Sequence, residues 1–130
     1  MSEQKLPTSP VRTPETDMFW DAANEKRLLL KRCNGTGKAF HPPRTISPFT
    51  GSADTEWVEA SGKGTIYSLS VTKRKGTEHA IVYVELPEGP IILSALTDCD
   101  FDAAAIGQSV KVAFVPSENG QLVPMFTPDA

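Results

Sequence analysis

Few of the residues from which catalytic and metal centres are usually built occur in this chain. It has two cysteines, Cys33 and Cys99, and two histidines, His41 and His79, in 130 residues. Two thiols in separate segments give no disulfide framework, which fits a reducing compartment and an expected cytoplasmic location. No apolar run approaches a membrane span, and the start MSEQKLPTSPVRTPETD lacks a secretory signal's apolar core, so no membrane contact is expected. The net charge of −3 gives no global attraction to nucleic acid or to an anionic membrane.

The same scarcity argues against a stand-alone enzyme. His41 and His79 lie in different segments, and no nucleophile-elbow pattern occurs. Cys99 sits between Asp98 and Asp100, two negative charges that disfavour its thiolate. The acidic run Asp98, Asp100 and Asp102 lacks the glycine and distal glutamate of a calcium loop and reads as helix capping. CNGTG contains glycine yet is neither a phosphate loop nor a dinucleotide fingerprint.

What is present is an uneven charge distribution. Residues 25–45 carry six basic side chains, Lys26, Arg27, Lys31, Arg32, Lys38 and Arg44, against Glu25 alone. Residues 46–130 hold five basic and eleven acidic residues. A basic arm is joined to an acidic body. The length, at 39% hydrophobic content, suits one compact domain with a small appendage.

The periodicity predicts a mainly β protein. Residues 1–15, rich in Pro, Ser and Thr, read as an extended or disordered lead. A helix is expected over residues 16–27, capped by Thr16 or Thr13, with Met18, Phe19, Ala22 and Ala23 on one face. Phe19 and Trp20 are large for so short a helix, so at least one should be buried. Residues 28–56 form an arm, and 57–130 a second body opening at Trp57. There TIYSLSVTKR places Tyr67, Leu69 and Val71 on one face, and HAIVYVEL alternates with Ala80, Val82, Val84 and Leu86 inward. PEGP is a hairpin turn, DFDAAAIG a short helix capped by Asp100 or Asp102, SVKVAFV a strand, and LVPMF an edge strand interrupted by Pro124. Five strands with a helix between the third and fourth are the order of an OB-fold barrel, with an open five-stranded sheet as the competing architecture.

The arm carries the most unusual pattern. Cys33 and Thr36, followed by Gly37, and Ser47 and Thr50, followed by Gly51, stand in two C-x-x-C-like frames with one cysteine among the four positions. Four thiolates at that spacing would hold zinc; three hydroxyls are hard, neutral, poor ligands. No metal is therefore expected, even with His41 close by in sequence. The hydroxyls should instead bond the knuckle amides, while Phe40, Ile46 and Phe49 build a small apolar core.

FWDAANEKRLLLKRCNGTGKAFHPPR, WVEASGKGTIYSLSV, VYVELPEGPIILSALTDCD and IGQSVKVAF together resemble the DUF35 family, in order from Phe19 to Val115. The resemblance implies an N-terminal helix, a rubredoxin-like zinc ribbon whose usual four Cys are here Cys33, Thr36, Ser47 and Thr50, and a C-terminal OB-fold. It also implies a non-catalytic accessory subunit that binds a CoA thioester, docks to a thiolase-like acyl-CoA enzyme, or both. Arg forks and Lys point charges suit CoA phosphates, so Arg32, Lys38 and Arg44 are the first expected contacts, with Phe40 as a surface for adenine or pantetheine. Lys73 and Arg74 come second. Phe19, Trp20 and Tyr67 are the expected docking anchors. The alternative function is an OB-fold binding single-stranded nucleic acid, for which the acidic body offers few cations.

Overall fold

A computed structural model describes residues 6–74 and 76–129. The lead expected over residues 1–15 lies partly outside them; within the described part, Pro7 and Ser9 hydrogen-bond to residues 117–119. The Glu118 amide donates to the Pro7 carbonyl at 3.1 Å, Ser9 and Ser117 share a hydroxyl bond at 3.0 Å, and the Asn119 amide donates to Ser9 Oγ at 2.9 Å.

Helix α1 spans Asp17–Asn24 and buries Phe19, Ala22 and Ala23. It ends before the expected Arg27 because Lys26 turns left-handed at φ +62°. The Lys26 and Arg27 amides then donate to the carbonyls of Ala23 and Ala22, both at 2.9 Å, in a Schellman stop. Thr16 precedes the helix without capping it through its side chain, its hydroxyl being engaged by Thr13.

The next three strands, β1 (Leu29–Cys33), β2 (Ala39–Phe40) and β3 (Thr55–Glu59), form an antiparallel sheet in the order β2-β1-β3. Trp57, where the expected second body opens, lies on a strand that pairs along all of β1, with Lys31 opposite Trp57 and its ammonium 4.7 Å from the indole centre.

The barrel follows as β4 (Lys63–Arg74), β5 (Thr77–Glu85), β6 (Ile91–Ala95), β7 (Ser109–Pro116) and β8 (Leu122–Pro128), in the order β6-β5-β4-β7-β8. A parallel bridge between Leu96 and Phe126, with the Thr97 amide donating to the Phe126 carbonyl at 2.9 Å, brings the two outer strands together. That closure decides for the OB-fold over the open sheet. The helix expected in DFDAAAIG is a single 3-10 turn, Phe101–Ala103, in which Asp100 caps the Asp102 amide at 3.1 Å before the chain extends at Ala104.

Leu30, Ile66, Val82, Val84, Leu86, Leu96, Val110 and Phe126 are almost fully buried, and Phe19 and Leu28 join the same core. The helix and ribbon are thus seated on the barrel by apolar contact. One face assignment changes. The β4–β5 register slips between Ile66 and Ser68, so Tyr67 bulges outward while Leu69 and Val71 keep the inward parity, opposite Val82 and Ala80.

Candidate functional site

The two frames fold into matching knuckles. In the first, the Gly37 amide donates to the Cys33 carbonyl at 2.7 Å and the Cys33 amide to the Lys38 carbonyl at 2.8 Å. In the second, Gly51 and Ser47 form the same bond at 2.9 Å, and Ser47 and Ser52 at 2.8 Å. Gly37 and Gly51 both sit at φ +74°, a conformation that favours glycine and ends each turn.

The hydroxyls bond the amides around them. Ser47 Oγ accepts from Phe49 and Thr50 at 3.1 and 3.3 Å, Thr36 Oγ1 from Lys38 at 3.3 Å, and Thr50 Oγ1 from Ser52 at 3.2 Å. Cys33 and Ser47 are buried, and Cys33 Sγ lies 3.8 Å from Thr50 Oγ1. The hydroxyls of Ser47, then Thr36 and Thr50, stabilise the Cys33 thiolate and bring its pKa down to about 6, against the opposing effect of burial. One thiol among three neutral hydroxyls does not fit zinc, which wants soft or anionic donors. No group of three or more His, Cys, Asp or Glu side chains suited to a metal occurs among the described residues. His41 packs toward Phe19 at 5.5 Å between ring centres, and burial lowers its pKa to about 4.

The basic candidates separate. Arg32 forms an ion pair with Glu56. Lys73, at the far end of β4, pairs with Asp102 at 2.7 Å, which raises its pKa, and exposed Arg74 follows it. Arg44 is exposed; beside it Glu15 has its pKa lowered, first by the Thr45 amide at 2.7 Å and further by the charges of Arg44 and Lys31. Lys38 stands at a cleft between the ribbon and the β5–β6 turn.

The aromatic candidates separate too. Phe40 is 5% exposed and Phe19 5%, so neither offers a free ring to a ligand or a partner; both are packing residues. Trp20, edge-on to Phe19 at 4.8 Å, is half-buried and lines an apolar groove of about 400 Å³ with His41, Leu93, Val123 and Met125. Tyr67 is 57% exposed.

The small apolar core expected from Phe40, Ile46 and Phe49 forms only at Phe40: Ile46 is 49% exposed, and Phe49 is 48% exposed because its ring stands edge-on to Phe40 at 6.1 Å at the surface, with Lys38 Nζ 5.6 Å from its centre. The outer barrel residues Ile81, Tyr83 and Leu93, which the sequence reading did not single out, are exposed as well, with Tyr83 paired to both Ser68 and Leu93. The available signal was that HAIVYVEL is apolar at its outward positions Ile81 and Tyr83 as well as its inward ones, which a strand facing only water does not need.

Comparison with known proteins gives this arrangement a family. Residues 20–47 match the profile described as "ChsH2, rubredoxin-like zinc ribbon domain", and residues 57–115 the profile "ChsH2, C-terminal OB-fold domain". A "DUF35 domain-containing scaffold protein" of Methanothermobacter thermautotrophicus is 34% identical over 77% of this chain and 81% of its own. The chain belongs to the DUF35 family.

A "Probable enoyl-CoA hydratase alpha subunit" of Thermomonospora curvata is 29% identical over 98% of this chain, which spans 42% of that relative's length. Among solved structures, "Ltp2-ChsH2(DUF35) aldolase" superposes at TM-score 0.80 with 28% identity, covering 92% of this chain and 98% of that one. A DUF35 protein of Sulfolobus solfataricus shares the fold at TM-score 0.67 and 16% identity. No helix among the described residues is long and apolar enough to cross a membrane.

Proposed function

We propose that this chain is a non-catalytic scaffold subunit which docks to a thiolase-like acyl-CoA enzyme in the cytoplasm, holds a CoA thioester beside it, and keeps its ribbon without metal. The observation that carries the reading is the superposition on the ChsH2(DUF35) chain of an aldolase, at TM-score 0.80 over 98% of that chain. Relatives named as scaffold proteins and as subunits of CoA hydratases support it. Burial and the charges of Asp100 and Asp98 raise the Cys99 pKa, which suits a structural thiol rather than a nucleophile. Hydroxyls that already accept the knuckle amides account for how a ribbon can hold its turns without zinc. The apolar groove beside Trp20 suits an acyl chain, and the outer face of Tyr67, Tyr83 and Leu93 supplies aromatic and aliphatic surface of the kind that anchors interfaces.

Affinity capture of the full chain from its source cells tests the reading. A thiolase-fold acyl-CoA enzyme should return in stoichiometric amount and survive washing in high salt. Recovery of single-stranded nucleic acid alone would overturn it in favour of the other use of an OB-fold.

A further inference from the structure

The ribbon and the β5–β6 turn enclose a cleft of about 640 Å³ whose features are not used by the scaffold role. On the ribbon side stands Phe49, 48% exposed and backed edge-on by buried Phe40 at 6.1 Å. Lys38 Nζ lies 5.6 Å from the Phe49 ring centre and, among the described residues, forms no ion pair. On the barrel side is Glu88. Its Oε2 accepts the Ser61 amide at 2.9 Å, while Oε1 is buried with no hydrogen-bond partner among the described residues. Gly37 and Gly89 also line the cleft, and a Cβ built on either would meet nothing within 4 Å, so the backbone leaves the space open.

A supported aromatic face, an unpaired ammonium and a carboxylate with spare acceptor capacity form a combination suited to a nucleotide. A base stacks on an aromatic ring whatever its edge pattern. A lysine supplies a point charge for phosphate. Adenine offers its exocyclic amine as a donor, and a carboxylate accepts from it. We propose that this cleft binds the adenine nucleotide end of a CoA thioester, with the base on Phe49, a phosphate at Lys38 and the adenine amine toward Glu88. The proposal rests on the CoA part of the reading above and names its head-group site. It replaces Phe40 by Phe49 as the adenine surface and retains Lys38 alone of the phosphate candidates.

Isothermal calorimetry on the full chain tests it, with adenosine 3′,5′-bisphosphate and CoA as probes. Both should bind, and Phe49→Ala should weaken both by about fivefold to a hundredfold, the range that loss of one base stack gives. Phe49→Trp should retain binding, which separates the platform from any effect on folding. Lys38→Gln should weaken both probes and flatten their salt dependence. Affinity for CoA indifferent to Phe49→Ala and to Lys38→Gln would overturn the cleft while leaving CoA binding in place. Binding of neither probe would overturn the cleft and the CoA reading together, with docking still judged by capture.

Discussion

Ser47 occupies in the second knuckle the position that Cys33 occupies in the first. Each donates its amide to the carbonyl five residues on, at 2.8 Å, and each accepts at its own carbonyl the amide of the glycine four residues on, at 2.7 Å for Cys33 and 2.9 Å for Ser47. The turn geometry of a ribbon thus accompanies a donor set unsuited to its metal. The backbone hydrogen bonds, positive-φ glycines and side-chain hydroxyls supply the local constraints.

If the geometry is that of a zinc ribbon and the donors alone are at fault, restoring them should restore the metal. The variant Thr36→Cys, Ser47→Cys, Thr50→Cys is expected to retain one zinc per chain by elemental analysis after dialysis and to melt higher than the wild type, which is expected to retain none. A triple variant that binds no zinc would show that the knuckles do not converge as described.

The Cys33 thiol, brought down to about 6 by the Ser47, Thr36 and Thr50 hydroxyls from an ordinary value of 9.0, gives a pH signature. Between those values the folded chain is deprotonated at Cys33 while the unfolded chain still binds the proton, so stability from this group rises with pH across that window. It is fully present above 9 and lost as pH falls through about 6. The melting temperature of the wild type relative to Cys33→Ala should climb from pH 6 to pH 9. A constant difference would contradict the assignment.

Lys26 ends α1 at φ +62°, where a side chain costs about 1–2 kcal/mol and glycine almost nothing. Allowing for the greater freedom of glycine in the unfolded chain, Lys26→Gly should stabilise the protein by about 0.5–1 kcal/mol. Urea unfolding with an unchanged m-value would register it as a higher midpoint.

Gly64 has the opposite requirement. A Cβ there would stand 2.4 Å from Val84 Cγ1 and 2.9 Å from the Glu85 carbonyl, in the β4–β5 pair beside the core. Gly64→Ala should therefore cost about 1–3 kcal/mol, as overpacking does, read as a lower urea midpoint.

The extent to which the fold could be read in advance followed the kind of signal available. Ala80, Val82, Val84 and Leu86 alternate strictly, and all are buried as the period-two pattern requires. Tyr67 broke the pattern because a bulge shifts parity without leaving any mark in a run of mixed apolar and polar residues. Trp57 pairs with Lys31 in the ribbon because strand partnership depends on register across the fold, which composition does not encode. The knuckle hydroxyls were legible since their spacing is local. Phe49 was not, because which of two nearby phenylalanines is covered and which is presented is settled by the ribbon's packing on the barrel.

The rate of CoA thioester turnover in three samples decides the scaffold role: this chain alone, the captured thiolase-like enzyme freed of it, and the two recombined. The chain should show no turnover, the isolated enzyme a reduced or absent rate, and the recombined pair a recovered one. Turnover by the chain alone, or an enzyme whose rate and assembly are indifferent to it, would rule the scaffold role out.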